Sequence, residues 1–230
     1  MTPRRAVVVM AKLPRPGRVK TRMCPPLSFE QAAELAEAFL RDVLVVVDRA
    51  REKLELEVVL SIALGDGERI EDAAGLLDAQ KFFDPVRMIR SVAQSPGHLG
   101  ARILEAHRAP GADETVVIGS DAPHMDPARL VQAFEALEVA DVVFGPVLDG
   151  GYDLIGARRL PEALASEAIP WSTSGVLDAS RRAAAQAGMR ALELAMGSDV
   201  DELSDLVRVL LDAPKAALRH TRPVARRVLG

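Results

Sequence analysis

Cysteine is almost missing from this chain, since Cys24 is the only one among 230 residues. A single cysteine cannot form an internal disulfide, which predicts a protein of the reducing cytoplasm. No run of apolar residues approaches the roughly 18 that a membrane helix requires. Lys12 and two prolines also interrupt the early segment in which a signal peptide needs an apolar core. We therefore expect a cytoplasmic protein without a membrane span.

Aromatic residues and net positive charge are also scarce. Phe, Trp and Tyr make up 3% of the chain, and the formal net charge is −4. Few aromatics argue against a base-stacking platform, and the negative charge argues against general nucleic-acid binding. Apolar residues, in contrast, make up 49% of the chain. This fraction is ample for the core of one large α/β domain, or at most two small ones.

Acidic residues are absent before Glu30, although this stretch carries seven Lys or Arg residues. The apolar run 6–10 predicts a short buried strand, which is followed by a basic loop containing Pro14, Pro16 and Gly17. Such a loop at the end of a first strand suits a nucleotide phosphate. A solvated basic N-terminus is the alternative. The candidate phosphate-binding residues are Lys12, Arg15, Gly17, Lys20 and Arg22.

Two common phosphate-binding motifs are missing. A Walker A loop needs two glycines separated by four residues and followed by Lys and then Ser or Thr. Here Lys20-Thr21 has only Gly17, three residues upstream. The dinucleotide fingerprint of three spaced glycines is missing as well. These absences exclude a P-loop protein and a typical dehydrogenase.

Strands and helices are predicted to alternate along the chain. Ser28-x-x-Gln31 is a capping pattern that begins the first helix, and Asp126-Pro127 begins another. The predicted strands cover 6–10, 56–64, 86–89, 115–118, 141–147, 152–155 and 191–195. The other predicted helices cover 68–77, 101–108, 175–187 and a segment ending near 211. This alternation indicates a mainly parallel sheet covered on both faces, with ligands at the C-terminal ends of its strands.

Several carboxylates follow these strands. Asp121 comes after the strand 115–118, where a carboxylate commonly helps to hold Mg²⁺ or Mn²⁺ together with substrate phosphates. Alternatively, it caps the turn before Pro123. Asp199 and Asp201 precede the last predicted helix. We expect one of them to cap that helix and the other to be a second metal ligand.

A further candidate segment is Asp149-Gly150-Gly151-Tyr152. Its glycines allow a substrate to approach closely, and Asp149 could orient or deprotonate an acceptor hydroxyl. An ordinary Asp-Gly hairpin turn is the alternative. Trp171, the only tryptophan, either stacks on a sugar or base or packs in the core. The basic tail 214–230 follows a predicted domain covering 1–213. We expect this tail to be solvated, and a frayed basic helix and a contact with a partner are the alternatives.

Together these motifs resemble a bacterial family of small GT-A-like transferases, the DUF2064 or rSAM/selenodomain-associated transferase 1 group. The matching segments are 11–22, 118–123, 145–152, 171–173, 199–201 and 205–206. They occur in the order of the family and span most of the chain. His98 stands where the family usually has Asp, and residues 202–204 depart from its usual last motif.

The resemblance implies a single-domain nucleotide-diphospho-sugar transferase fold, a three-layer α/β/α sandwich with a mainly parallel sheet. It also implies that Lys12, Lys20 and Arg22 hold phosphates and that Asp121 and Asp201 hold Mg²⁺ or Mn²⁺. The first hypothesis is metal-dependent transfer of a sugar from a nucleotide-diphospho-sugar to a small acceptor. The second is nucleotidyl transfer from a nucleoside triphosphate to a phosphorylated small molecule. The third is a non-catalytic nucleotide-binding protein.

Overall fold

The computed structural model describes residues 3–65, 67–71, 89–214 and 216–230. Within these ranges, seven strands form one sheet in the order β3-β2-β1-β4-β6-β5-β7. All run parallel except β6, which is antiparallel to both of its neighbours. The strands are β1 Arg5–Lys12, β2 Leu56–Ala63, β3 Arg90–Ala93, β4 Glu114–Gly119, β5 Val142–Pro146, β6 Tyr152–Ala157 and β7 Ala191–Glu193. The expected mainly parallel sheet is confirmed.

Helices cover both faces of this sheet. They are α1 Phe29–Ala50, α2 Leu99–Arg108, α3 Pro127–Leu137, α4 Val176–Gln186, α5 Leu203–Asp212 and α6 Thr221–Leu229. Alternate residues of β1 are buried on opposite faces. Val7 and Val9 pack with α1 and α3, whereas Val8 packs with α2 and α4. Because both faces of the strand are covered, its sequence is a nearly continuous apolar run.

Local capping signals were predicted correctly at two helix starts. The Ser28 side chain accepts a hydrogen bond from Gln31 N, and the Gln31 side chain accepts one from Ser28 N. Asp126 accepts from Ala128 N at 2.8 Å, with Pro127 as the first residue of α3. Helix α2 starts at Leu99, two residues earlier than expected, with His98 as its N-cap.

The expectation of a solvated tail is wrong for its last segment. Helix α6 packs on α1, and Thr221 and Ala225 are buried. The Asp42 carboxylate of α1 accepts hydrogen bonds from the backbone N–H groups of His220 and Thr221 at 2.9 and 2.8 Å. The basic residues of α6 are compatible with this packing: Arg226 and Arg227 are exposed, and Arg227 pairs with Glu34, whereas half-buried Arg222 donates to Leu210 O and Ala213 O.

Two predicted elements lie wholly or largely outside the described residues. The expected helix 68–77 is described only to residue 71, and most of the expected strand 86–89 falls in the undescribed 72–88. In the described ranges, β3 begins after that segment, at Arg90. No helix in these ranges is long and apolar enough to cross a membrane. The expected cytoplasmic location stays a prediction.

Candidate functional site

A cavity of about 760 Å³ opens at the C-terminal ends of the parallel strands. The ends of β1 and β4 and the start of the antiparallel β6 all border it. This volume is within the usual range for small-molecule sites, and the position is the usual one for open α/β sheets. Of the predicted site residues it is lined by Lys12, Lys20, Arg22, Asp121, Asp149, Gly151, Tyr152, Trp171 and Asp201.

The basic loop after β1 contributes only part of its charge to the cavity. Lys12 and Arg18 line it, and neither has a carboxylate within 4 Å among the residues that the structure describes. Arg15 does not line the cavity, since its guanidinium lies 2.6 Å from Glu68. Gly17 does not line it either, and its φ of 75° turns the loop. Arg18 therefore occupies the position that the sequence interpretation gave to Arg15.

Lys20 joins two of the candidate metal ligands. Its ammonium pairs with Asp121, lies 3.3 Å from Asp201 Oδ1 and donates to Val200 O at 2.7 Å. The side chain is 7% exposed and lies over the ring of Phe39. Its backbone has a φ of 47°, which is uncommon for a residue other than glycine. The site thus contains a position where oxygen atoms from two loops surround a cation.

Asp199 lies close to the same carboxylates. Burial, followed by the charges of Asp201, Asp149 and Asp121, raises the pKa of Asp199 to about 6. Four acidic side chains from three loops therefore share one region, although only two of them contact Lys20. A concentration of negative charge that raises a carboxyl pKa also favours the binding of cations.

Neither Asp199 nor Asp201 caps the last predicted helix, so this expectation is wrong. Helix α5 begins at Leu203 with Glu202 as its N-cap. The carboxylate of Asp205, inside the first turn, accepts from the N–H groups of Asp201 and Glu202 at 3.2 and 2.9 Å. Because Asp205 satisfies these donors, the carboxylates of Asp199 and Asp201 can both line the cavity.

The raised pKa of Asp199 predicts a pH dependence of stability. The folded protein binds a proton at the Asp199 carboxylate more tightly than the unfolded chain does. The contribution of Asp199 to the unfolding free energy therefore falls as the pH rises from about 4 to about 6. Asp199→Asn should remove this fall. We expect the variant to melt about 2–4 °C above the wild type at pH 7.5, or about 1 kcal/mol after solvent screening. The two melting temperatures should converge at pH 4, and a constant difference would contradict the assignment.

Asp149 lies in the hairpin connection between β5 and β6. This is not an ordinary Asp-Gly turn, because Gly150 N donates to Val147 O and Gly150, but not Asp149, has a positive φ. Its Oδ1 accepts from Gly151 N at 2.8 Å, and the carboxylate borders the cavity. Gly150 does not line the cavity but packs against the backbone of Ser174, and its carbonyl accepts from Leu177 N at 3.1 Å. The turn is therefore fixed against the start of α4, with Asp149 at its cavity side.

Trp171 both packs and lines the cavity, so the two interpretations of this residue are compatible. Its indole N–H donates to Ser166 O at 2.9 Å, and its ring lies against Gly100. His98 stacks on it with ring centroids 6.5 Å apart. Tyr152 packs against Phe144, and burial raises the pKa of Tyr152 to about 12, so its hydroxyl stays protonated.

The sequence interpretation missed Gln94 and Arg102. The Gln94 side-chain amide donates to Ala11 O and Ser61 O, and its oxygen accepts from Arg102 at 3.2 Å. Arg102 lines the cavity, its Nε is buried without a hydrogen-bond partner, and no described carboxylate lies within 4 Å of it. The glycine-containing entrance to α2 was a signal for this region, but it did not indicate the arginine one turn later.

The carboxylates fit a hard divalent cation only with help from a ligand. Among the described ranges, no group of three or more His, Cys, Asp or Glu side chains has a metal-binding arrangement. Two carboxylates, Asp121 and Asp201, already surround the Lys20 ammonium. One or two carboxylates completed by substrate phosphates and water is the usual environment of Mg²⁺. The residues present therefore fit a cation that binds together with a phosphorylated substrate.

The fold is of the nucleotide-diphospho-sugar transferase-like class. A Desulfovibrio desulfuricans protein provisionally described as a nucleotide-diphospho-sugar transferase matches with a TM-score of 0.82 and 28% identity, covering 98% of this chain and 95% of that one. A Methanothermobacter nucleotidyl transferase matches at TM-score 0.57 and 18% identity, covering 90% and 95%. A CMP:2-keto-3-deoxy-manno-octonic acid synthetase complexed with CTP matches at 0.55 and 13%, covering 90% and 98%. The last two similarities concern the fold alone.

The chain belongs to the DUF2064 family, which is described as an uncharacterized protein conserved in bacteria. The family model matches residues 46–173, which include the loops of Asp121 and Asp149. No curated protein matches the chain. Both the family and the fold that the motifs predicted are thus confirmed, and the names of the structural relatives indicate transferases.

Proposed function

We propose that this protein is a metal-dependent glycosyltransferase that moves a sugar from a nucleotide-diphospho-sugar to a small acceptor. The observation that carries the proposal is the charge arrangement of the cavity. Lys12, Arg18 and Arg102 line it without a described carboxylate within 4 Å, while Asp121 and Asp201 lie in the same cavity around Lys20. Unpaired cations suit a diphosphate, and the carboxylates suit the divalent cation that accompanies it.

The nucleotide-diphospho-sugar is favoured as donor by two observations. The solved relative with 28% identity is provisionally described as a transferase of this class. The first loop, in addition, is Pro-Arg-Pro-Gly rather than the Gly-rich loop usual in nucleotidyltransferases of this fold. Lys12, Arg18, Lys20, Arg22 and Arg102 are the proposed phosphate-binding residues. Arg18 and Arg102 thus join the set chosen from sequence, and Arg15 and Gly17 leave it because they do not line the cavity.

Asp121 and Asp201 are the proposed ligands of Mg²⁺ or Mn²⁺. A bound cation would neutralise charge that develops on the leaving diphosphate. The basic side chains would also stabilise this developing negative charge, because they already line the cavity before the substrate binds. Lys20 also keeps the two carboxylates close together, since its ammonium contacts both.

Asp149 is the proposed general base. Its Oδ1 is held by Gly151 N, which leaves Oδ2 free to accept the proton of an acceptor hydroxyl. The acceptor oxygen then forms a bond to the anomeric carbon, the bond from that carbon to the diphosphate oxygen breaks, and the nucleoside diphosphate leaves. Tyr152, Trp171 and Gly151 are the proposed contacts of the sugar or acceptor, whereas Gly150, which does not line the cavity, is left out of this set.

Nucleotidyl transfer is the second candidate, because structures with this fold include a nucleotidyl transferase and a synthetase complexed with CTP. In that reaction a phosphate oxygen of the acceptor attacks the α-phosphorus of a nucleoside triphosphate, and pyrophosphate leaves. The same cations would then bind a triphosphate. A non-catalytic nucleotide-binding protein is the third candidate, and the ligand experiment below separates all three.

Thermal shift of the purified protein with nucleoside triphosphates and nucleotide-diphospho-sugars, each with Mn²⁺, Mg²⁺ or EDTA, tests the proposal. A ligand at 100 times its dissociation constant should add about 2.7 kcal/mol, or a shift of about 5–10 °C. We expect this shift from a diphospho-sugar with metal and a much smaller one with EDTA. The stabilising donor is then incubated alone, and slow release of nucleoside diphosphate would indicate turnover to water.

The outcomes separate the candidates. Stabilisation by a triphosphate but by no diphospho-sugar would replace glycosyl transfer with nucleotidyl transfer. Equal stabilisation with metal and EDTA would remove the metal from the proposal. Binding that never leads to turnover with any acceptor would favour the non-catalytic protein, and no binding at all would contradict the proposed function.

A further inference from the structure

A buried ion pair lies at the edge of the cavity, which Asp153 lines and Arg129 does not, and neither residue belongs to the set of proposed binding residues. Arg129 of α3 donates to Asp153 Oδ1 of β6 through Nη2 at 3.0 Å and through Nε at 3.3 Å. The two side chains are only 11% and 6% exposed. Removing both charges from water is costly, so such a pair is weak evidence for a gain in stability. Its contacts suggest a different use.

The guanidinium also holds two backbone segments. Nη1 donates to Ala195 O at 2.6 Å, and Nη2 lies 3.4 Å from Pro146 O. Gly197 N donates to the same Pro146 carbonyl at 2.8 Å, which joins these two segments directly. One side chain therefore links α3, the end of β5, the start of β6 and the segment after β7.

Two glycines provide the space for this arrangement. A Cβ at Gly145 would lie 2.4 Å from Asp153 Oδ1 and 2.8 Å from Arg129 Nη2. A Cβ at Gly197 would lie 2.9 Å from each of the same two groups. Both contacts are too short for a real side chain, so the backbone closes on the ion pair from both sides.

Each of the linked segments leads to a candidate carboxylate. Helix α3 follows the loop of Asp121, Pro146 precedes Asp149 by three residues, and Ala195 precedes Asp199 by four. The loop of Asp199 is also joined to that of Asp121, because Val200 N donates to Asp121 O at 2.9 Å. Together with these backbone hydrogen bonds, the ion pair thus attaches the three carboxylate-bearing loops to one another.

We propose that Arg129 and Asp153 are positioning residues, which hold the loops of Asp121, Asp149 and Asp199 at the spacing that the cavity requires. Neither residue is assigned a contact with substrate. The proposal rests on the proposed function in one respect only, namely that these carboxylates bind a cation. The attachment of the loops can be measured without any ligand.

The test replaces the pair by apolar residues of similar size, Arg129→Met with Asp153→Leu. Such a replacement of a buried ion pair is often neutral or stabilising, so we expect a melting temperature near that of the wild type. Amide hydrogen exchange of segments 145–151 and 195–201 in the ligand-free protein should become at least tenfold faster. The dissociation constant of Mn²⁺ alone, measured from its EPR signal, should rise at least tenfold.

A matched control exists at the other end of the sheet. Arg5 pairs with Glu114 at 2.9 Å, and these side chains are 16% and 2% exposed. Arg5→Met with Glu114→Leu should leave exchange in both segments and the Mn²⁺ affinity unchanged. Arg129→Lys is a second test variant, because it keeps the charge while an ammonium cannot reproduce the fork that joins Asp153 to two carbonyl groups. It should show the same changes to a smaller degree.

Unchanged exchange in both segments of a folded Arg129 variant would overturn the proposal, as would equal loosening by the Arg5–Glu114 control. If the double variant does not fold, exchange in Arg129→Lys decides. If the wild type itself binds no Mn²⁺, the metal part of the proposed function fails, whereas the exchange experiment still decides whether the pair positions the loops.

Discussion

Asp121→Ala is expected to abolish the metal-dependent part of nucleotide binding while leaving the fold intact. The carboxylate is half exposed, so its removal leaves no buried cavity. Lys20 keeps its contacts with Asp201 and Val200 O, so its ammonium is not left unpaired. What is lost is one of only two carboxylates proposed to hold the cation. We expect affinity measured with Mn²⁺ to fall about 100-fold, equivalent to about 2.7 kcal/mol, and to equal the value in EDTA.

Asp113→Ala provides a charge-matched control for this variant. Asp113 is exposed, precedes β4 and contacts Arg4, so it lies at the edge of the sheet opposite the cavity. Its loss changes the net charge by the same amount, and we expect nucleotide affinity to stay within twofold of the wild type. Titration calorimetry with the best ligand of the thermal screen measures both variants. An Asp121 variant that binds more tightly with Mn²⁺ than with EDTA would refute its assignment as a metal ligand.

Gly150→Ala, which adds only one methyl group, is expected to cause the largest loss of stability among such small substitutions at the site. Gly150 has a φ of 87°, and a Cβ would lie 2.2 Å from the backbone oxygen of Ser174. A backbone atom cannot rotate away as a side chain can. The hairpin and the start of α4 must therefore separate, which breaks the hydrogen bond from Leu177 N to Gly150 O. We expect a loss of about 3–4 kcal/mol, at the upper end for point substitutions.

Gly188→Ala separates the two causes of this loss. Gly188 follows α4 with a φ of 69°, but a Cβ there has no neighbour within 4 Å. Its substitution costs only the left-handed backbone strain of about 1–2 kcal/mol. By calorimetry, Gly188→Ala should lower the melting temperature by about 2–5 °C and Gly150→Ala by about 8–12 °C. Equal shifts would show that the contact with Ser174 contributes nothing.

Features encoded by neighbouring residues were predictable. The buried strand of β1 follows from its apolar run, and the starts of α1 and α3 follow from Ser28 with Gln31 and from Asp126 with Pro127. Alternating strands and helices predicted the sheet, and the position of Asp121 after β4 predicted which edge carries the site. Each of these signals acts within a few residues, a range over which propensity and capping are strong enough to determine the local secondary structure.

Features that join distant residues were not predictable in the same way. Asp205 rather than Asp199 or Asp201 accepts from the N–H groups at the start of α5, because this helix begins only at Leu203, with Glu202 as its N-cap. The position of β6 between β4 and β5, with its reversed direction, depends on pairing across the whole sheet. The docking of α6 depends on Asp42, about 180 residues away, which accepts from its first N–H groups.

The sequence by itself determined the class of fold, the family and the edge of the sheet at which the site lies. These features depend on local periodicity, on turn residues and on short motifs, all of which can be recognised without knowing the tertiary contacts. Only the tertiary structure decided which side chains meet there. Lys20 pairs with Asp121 and Asp201, and Arg15 pairs with Glu68 instead of lining the cavity. Arg129 and Asp153 form a buried pair next to the three carboxylate-bearing loops. The physical reason is that a charged side chain can pair only with groups that the folded backbone places within a few ångströms of it, and these are often distant in sequence.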